Sequence, residues 1–433
     1  MVVASISGIR GILNQDLFLS DIAMYVENFS VAQPSREFLV GRDTRPSGEI
    51  IERAVCGTLM AAGSEVLDYG VISTPALFRE SKLRSAPAVM ITASHNQPEW
   101  NGVKLVVNGR GVSQPELDQV LGRQKRKTGN ASPGILTLRQ ESSYNRELIE
   151  MAGRGAGEGV AVAVDLNGGA AIPHAPPILE GIGCSLKVLG GSRGIFSRTV
   201  DPTSDSLELL TGAVKKEGLD AGFAFDCDGD RLVLIDNEGE KKTGDFMLAL
   251  AVKKLLPNLK NRSVVVSVDT TRAIDDIVSQ LGGTVYRSKV GEANVVSEMI
   301  KQGAVLGGEG SSGGLIDGSY NYCRDSMIAV VTLVKAIKKN GSRVFGEVPS
   351  YKQVRLKAHF ERKKALAAIK RLQREYPEAD LLDGIKLETS ARSWVLIRVS
   401  GTEDAVRVSA ESTTIGEAQE LADSYLKRVE KLG

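Results

Sequence analysis

Residues 37–70, EFLVGRDTRPSGEIIERAVCGTLMAAGSEVLDYG, read as a strand, an aspartate, an amphipathic helix, a glycine and a second apolar strand. The same order returns twice. Residues 159–190 run GVAVAVDLNGG, AAIPHAPPILEGIG, CSLKVLG, and residues 263–289 run SVVVSVDTTR, AIDDIVSQLGG, TVYRSK. Asp43, Asp165 and Asp269 close the first strand of each copy, and Gly63, Gly183 and Gly283 stand where a helix C-cap is expected. Strands this uniformly apolar suit a parallel sheet covered by helices on both faces. Three tandem α/β units follow from this reading; one large doubly wound sheet is the competing arrangement.

Past about residue 350 the pattern changes. VRLKAHF alternates as a strand, ERKKALAAIKRLQREYP is a charged amphipathic helix stopped at Pro377, and SWVLIRV and AVRVSAES are two more strands. Thr414 and Glu417 have capping-box spacing before a last helix, with Leu421, Ala422, Tyr425, Leu426 and Val429 on one face. The expected fold is therefore α/β: three similar α/β domains (residues 1–143, 144–239 and 240–349) and a smaller α+β domain (350–433).

Composition excludes several classes. The chain has 433 residues, enough for about three domains. Its 54 Lys and Arg balance 53 Asp and Glu, so no nucleic-acid partner or polybasic membrane contact is expected. The longest apolar stretch, near residues 327–334, is too short to span a bilayer. The opening MVVASISG lacks the basic and apolar regions of a signal peptide, so the cytoplasm is the expected location. Cys56, Cys184, Cys227 and Cys323 form no CxxC, and His95, His174 and His359 form no HExxH. Any metal should then be a hard cation on carboxylates.

Chemistry concentrates in four places. In MITASHNQPEWNGVKL (90–105) an apolar strand ends in small polar residues, with Ser94 as a nucleophile candidate beside His95 and with Lys104 further on. An ordinary polar turn would look the same. In FAFDCDGDRLVLID (223–236) Asp226, Asp228 and Asp230 alternate before Arg231; carboxylates so crowded repel one another unless a cation such as Mg²⁺ sits among them. A solvated acidic turn is the alternative. LGGEGSSGGLIDG (306–318) surrounds Glu309 with glycine and serine, either a ligand-hugging loop or a merely flexible one. RVSGTEDAVRV (398–408) offers two guanidiniums, two hydroxyls and turn amides, either a phosphate cradle or a salt-bridged hairpin.

Together these motifs, in this order along the whole chain, resemble the α-D-phosphohexomutase family, which comprises phosphomannomutases, phosphoglucomutases and phosphoglucosamine mutases. Ser7-Gly8-Ile9-Arg10-Gly11 matches the family's N-terminal motif. Residues 92–96 with Asn101-Gly102-Val103-Lys104 match its phosphoserine loop, and residues 226–231 its D-x-D-G-D-R metal loop. Gly308-Glu309 and the serines after it match its sugar loop, and residues 398–407 its phosphate loop. There are departures. Gln97 replaces a proline, as do Val399 and Asp404, and the sugar loop is one residue longer than G-E-x-S-G. The histidine that many relatives carry after that loop is Gly314. Residues 98–101, Pro-Glu-Trp-Asn, look most like the archaeal members.

The resemblance implies a phosphosugar mutase that interconverts hexose 6-phosphate and hexose 1-phosphate. Ser94 would be a phosphoserine, Mg²⁺ would be held by Asp226, Asp228, Asp230 and the Ser94 phosphoryl group, and a hexose 1,6-bisphosphate would be both intermediate and activator. Lys104 and His95 would handle protons, and Arg10 and Arg231 would offset charge. Glu309 with Ser311 or Ser312 would hold sugar hydroxyls; Arg398, Ser400, Gly401, Thr402 and Arg407 would hold the phosphate not being transferred. Two other readings compete: a Mg²⁺-dependent sugar-phosphate phosphatase, which would use an aspartate nucleophile and leave the Ser94 loop idle, and a non-catalytic sugar-phosphate-binding protein, which would need neither Ser94 nor Lys104.

Overall fold

A computed structural model describes residues 3–122, 132–139, 141–399 and 404–432. Each sequence copy forms its own sheet with one topology, so the single large sheet is not what the chain builds. In the first unit the strands Glu37–Arg42, Glu65–Val71 and Ala88–Ile91 are parallel, and Trp100–Val107 pairs antiparallel to the third. The second unit repeats this with Ala161–Asp165, Ser185–Leu189, Ala221–Phe225 and antiparallel Leu232–Ile235. The third uses Ser263–Ser267, Thr284–Ser288, Leu306–Glu309 and antiparallel Gly314–Asp317. The first sheet is extended at one side by the hairpin Val3–Ser5/Gly8–Ile12 and at the other by Leu136–Leu138.

This repeat decides where chemistry can sit. In all three units the chain reverses after the third parallel strand, and that reversal is the Ser94 loop, the Asp226–Asp230 loop or the Glu309 loop. Three loops of unrelated sequence thus share one topological place at strand C-terminal ends, where open α/β sheets bind ligands. The helix stops differ in one copy. Gly63 and Gly183 take the positive φ expected of a C-cap, but in the third unit Gly282 does so. Gly283 serves another need: a Cβ there would lie 2.3 Å from the Arg262 carbonyl oxygen.

The apolar stretch near residue 330 is the buried helix Ser326–Asn340, apolar almost all round, packed on the helices Tyr144–Ala152 and Gly244–Leu255. Asp325 caps it, its Oδ1 accepting from the Met327 and Ile328 amides at 3.1 Å each and from Tyr144 Oη at 2.6 Å. Among the described residues no helix is long and apolar enough to cross a membrane.

The C-terminal unit is an antiparallel sheet in the order Lys352–His359, Ala405–Ser412, Ser393–Val399, Ile385–Ser390. The helices Arg362–Glu375 and Ile415–Leu432 cover one face through Val395, Ile397, Val406 and Val408. At Thr414 the Glu417 amide donates to Thr414 Oγ1 at 3.3 Å, and the Glu417 carboxylate accepts from the Thr414 amide and, at 2.7 Å, from the Ser412 hydroxyl. The other sheet face docks on the third unit. Arg355 reaches Asp245 at 2.7 Å, and buried Glu411 accepts from both Trp394 Nε1 and the Arg272 amide at 2.9 Å.

Candidate active site

Small polar residues after an apolar strand suggest an exposed turn, and Ser94 reads as an exposed hydroxyl. The structure places it instead at 0% exposure. The cause is Arg45, whose side chain is fully buried and paired with Asp43 at 2.9 Å. Its guanidinium donates to the carbonyls of Ser94, Asn96, Gln97 and Trp100 at 2.5–2.9 Å. Thr92 Oγ1 donates to Asp43 and accepts from the Ser94 amide, at 2.6 and 2.8 Å. So held, Ser94 sits at φ +54, with its hydroxyl 3.5 Å from Asp226 Oδ2.

Asp226, Asp228 and Asp230 are all fully buried, and one carboxylate oxygen from each lies within 4.8 Å of the others. Burial, with Asp230 and Asp228 beside it, pushes the Asp226 carboxyl well above the usual range. Burial acts on Asp230 too, but Arg324, Lys104 and Arg231 hold it well below that range. Lys104 Nζ lies 2.6 Å from Asp228 Oδ2 and 3.1 Å from Asp230 Oδ2, which keeps its ammonium charged despite burial. Asp228 Oδ1 and Asp230 Oδ1 are buried with no protein partner. Orphaned carboxylate oxygens beside a third carboxylate are a donor set that fits a hard divalent cation.

Four cations border this cluster. Arg10, on the Gly8–Ile12 strand, donates to Asn96 Oδ1 at 3.1 Å, and burial with Arg231 nearby brings it down to about 10. Arg231 spans Asp201 at 3.0 Å and His95 Nδ1 at 2.8 Å. A guanidinium can only donate, so Nδ1 accepts and the His95 proton sits on Nε2. Burial, then Arg231 and Arg10, pull the His95 pKa far down, which leaves it a neutral N–H donor. Lys104 and Arg324 complete the set.

Glu309 is buried, its Oε1 accepting from the Gly291 amide at 2.6 Å and its Oε2 from Arg324 at 3.2 Å. Ser312 is buried against the same arginine at 3.4 Å, whereas Ser311 is partly exposed. Arg324 also reaches Asp230 at 2.7 Å and Glu292 at 3.2 Å, joining the sugar loop to the aspartate loop. It fills the room beside Gly314: a Cβ there would lie 2.2 Å from Arg324 Cδ.

Arg398 and Arg407 are directly paired across neighbouring strands. Arg398 donates to Asp383 Oδ2 at 3.2 Å, and its buried Nε has no protein partner. Ser400, Gly401 and Thr402 lie outside the described residues. The sequence reading missed Arg45, Thr74, Asp201 and Arg324 as parts of the site. Only Arg45, two residues after the repeat aspartate Asp43, carried a local signal.

Known proteins match along the chain. The phosphoglucomutase/phosphomannomutase alpha/beta/alpha domains I, II and III match residues 3–130, 142–239 and 243–350, and the C-terminal domain matches 352–427. A probable phosphoglucosamine mutase of Methanococcoides burtonii is 33% identical, covering 98% of this chain and 97% of its own. A phosphoglucomutase/phosphomannomutase of Thermococcus kodakarensis is 30% identical, at 98% and 97% coverage. In fold, a phosphoglucomutase/phosphomannomutase family protein of Burkholderia thailandensis superposes with TM-score 0.86 at 23% identity, covering 99% of this chain and 98% of its own.

Proposed function

The chain belongs to the phosphoglucomutase/phosphomannomutase family, and on that premise we propose that it interconverts the 6- and 1-phosphates of a hexose, glucosamine in the first place. The observation that carries the reading is the Ser94 hydroxyl 3.5 Å from Asp226, in a buried triad of carboxylates ringed by cations. Glucosamine is put first because the Methanococcoides relative, at 33% identity, and one from Thermococcus gammatolerans, at 32%, are both named probable phosphoglucosamine mutases. The phosphatase alternative is not supported, since these relatives are mutases.

Asp226, Asp228 and Asp230 would hold Mg²⁺, which would supply Lewis-acid stabilisation of phosphoryl charge. Everything else falls to the chain's own residues. As phosphoserine, Ser94 gives its phosphoryl group to a sugar hydroxyl: the Oγ–P bond breaks, a P–O bond to the sugar forms, and the hydroxyl proton is exchanged for one returned to Oγ. Lys104, held as an ammonium, would give a proton to Oγ and take up the sugar's in exchange; His95, neutral and protonated on Nε2, would donate a hydrogen bond. Arg10 and Arg231 offset phosphate charge. Glu309 and Ser311 hold sugar hydroxyls, while Arg398 and Arg407 hold the phosphate not in transfer. After the bisphosphate turns round, the reverse transfer restores phosphoserine.

The test is intact-mass analysis of the full chain with a panel of glucosamine, mannose and glucose phosphates. A phosphate adduct lost in Ser94→Ala, together with mutase turnover fastest on glucosamine phosphate, supports the reading. Near wild-type turnover by Ser94→Ala would falsify it.

A further inference from the structure

One guanidinium serves three carboxylates beside the sugar loop. Arg324 reaches Asp230 at 2.7 Å, Glu309 at 3.2 Å and Glu292 at 3.2 Å. Glu292 opens the helix Glu292–Gln302, directly after Gly291, whose amide holds the other oxygen of Glu309. Two carboxylates on one guanidinium, one of them next to the amide that grips the other, stand side by side. Lys104 of the first unit feels the charge of Glu292 as well as that of Asp228 and Asp230, so Glu292 faces the reaction centre.

The two glutamates are not equally occupied. Glu309 has one donor on each oxygen. Glu292 takes the amide and the guanidinium of Arg324 on the same oxygen, Oε2, at 3.0 and 3.2 Å. Its Oε1 has no partner among the described residues, and the side chain keeps 16% exposure. An ionised carboxylate accepts at about four sites, so Oε1 is free to take a donor from the cleft. The surroundings favour a charged one. Burial, then Asp269 and Glu292, push the Glu309 carboxyl up although Arg324 pulls the other way. A single positive charge divided among three carboxylates leaves this side of the cleft electronegative.

We infer that Glu292 selects the sugar at C2: its Oε1 accepts from the ammonium of a glucosamine phosphate while Glu309 holds the hydroxyls next to it. This deepens the proposed function and rests on its reading of the sugar loop. An aminosugar carries its amine protonated at neutral pH, and an ammonium makes charge-assisted hydrogen bonds to a carboxylate. Glucose brings a neutral hydroxyl to the same carbon, and mannose turns that hydroxyl to the other face of the ring. A site built to pair with a particular donor rejects the analogue that lacks it more strongly than a pocket that only fits shape.

The experiment compares glucosamine 6-phosphate with glucose 6-phosphate on the full chain, by steady-state kinetics with glucose 1,6-bisphosphate as activator and by calorimetric binding. Glu292→Gln keeps an oxygen for the Arg324 amide and removes the charge. It should cut the preference for glucosamine, as the ratio of the two kcat/KM values, by roughly 10–100-fold, with a matching loss in the ratio of affinities. Glu292→Asp, which keeps the charge, should keep most of the preference. Glu298→Gln, on the same helix with its carboxylate paired to Lys301 and Gln302, should leave the ratio as in wild type. Equal losses on both sugars would show Glu292 acting only through Arg324, and an unchanged ratio would show no part in selection; either overturns the inference and leaves the mutase reading standing. No turnover by wild type on glucosamine, mannose or glucose phosphate would bring down that reading, and the inference with it.

Discussion

The Thr74 hydroxyl donates to Asp228 Oδ2 at 2.6 Å, and the Thr74 amide donates to the Asp228 carbonyl at 2.9 Å. Thr74 opens a helix of the first unit, whereas Asp228 lies in the second. The first unit thus sets the aim of a proposed metal ligand it does not carry. Outer partners of this kind orient ligands and commonly cost ~10-fold or more in metal affinity when lost. Thr74→Val should raise the Mg²⁺ concentration for half-maximal activity by about that factor and weaken Mg²⁺ in direct titration. A wild-type Mg²⁺ affinity would show the bond to be only structural.

Asp228→Asn should do more. It removes one of three anionic groups and offers Lys104 and Thr74 a neutral partner. Turnover should fall by ~100-fold or more, and chelation should inactivate wild type reversibly. Full wild-type activity in excess chelator would end the metal assignment.

Arg407→Ala should act on the intermediate. Losing a charge-assisted contact weakens the grip on the phosphate not in transfer by ~1.5–3 kcal/mol. More bisphosphate should then escape per turnover, and activity should depend more on added bisphosphate. Equal release with unchanged KM would leave the loop a salt-bridged hairpin.

Gly314→Ala tests whether Arg324 is confined. The added Cβ would press on Arg324 Cδ and Cγ, at 2.2 and 2.6 Å, and the arginine would have to leave Glu309, Asp230 or both. A stability loss of ~1–3 kcal/mol should accompany at least ~10-fold lower kcat/KM, read by thermal unfolding and kinetics. A variant indistinguishable from wild type would mean the arginine has room to spare.

His174 sets an acid limit. Its Nε2 accepts from the Ser73 amide at 3.2 Å and its Nδ1 meets Asn145 Oδ1 at 2.7 Å; burial pulls its pKa down to about 3. The unfolded imidazole takes a proton near pH ~6.5 that the folded one refuses. Its contribution to stability is therefore full above that pH and falls toward pH 3 by up to ~1.4 kcal/mol per pH unit. In urea melts from pH 7 to pH 4, His174→Gln should start lower but lose stability less steeply. Parallel slopes would assign the acid limit to other groups.

The repeat and the three loops at its strand ends were legible because their signals are local: a strand, a punctuating aspartate, a reversal rich in small residues. Arg324 was not, since it acts 94 residues along the chain from Asp230 and stands in a stretch with no pattern of its own. Thr74 likewise reads as an ordinary helix start. The burial of Ser94 was hidden for a related reason. Small polar residues signal exposure when their backbone is solvated, and here a guanidinium takes water's place at four carbonyls.

That guanidinium has one more consequence. On the proposed cycle Ser94 gains and sheds nearly two negative charges in every turnover. A loop shaped by its own charge would swell and contract at that rhythm. This one is fastened through its backbone carbonyls, by Arg45 and, behind it, Asp43. The charge comes and goes on a passenger while the seat stays still, so the loaded and empty enzymes should be, over residues 92–100, the same shape.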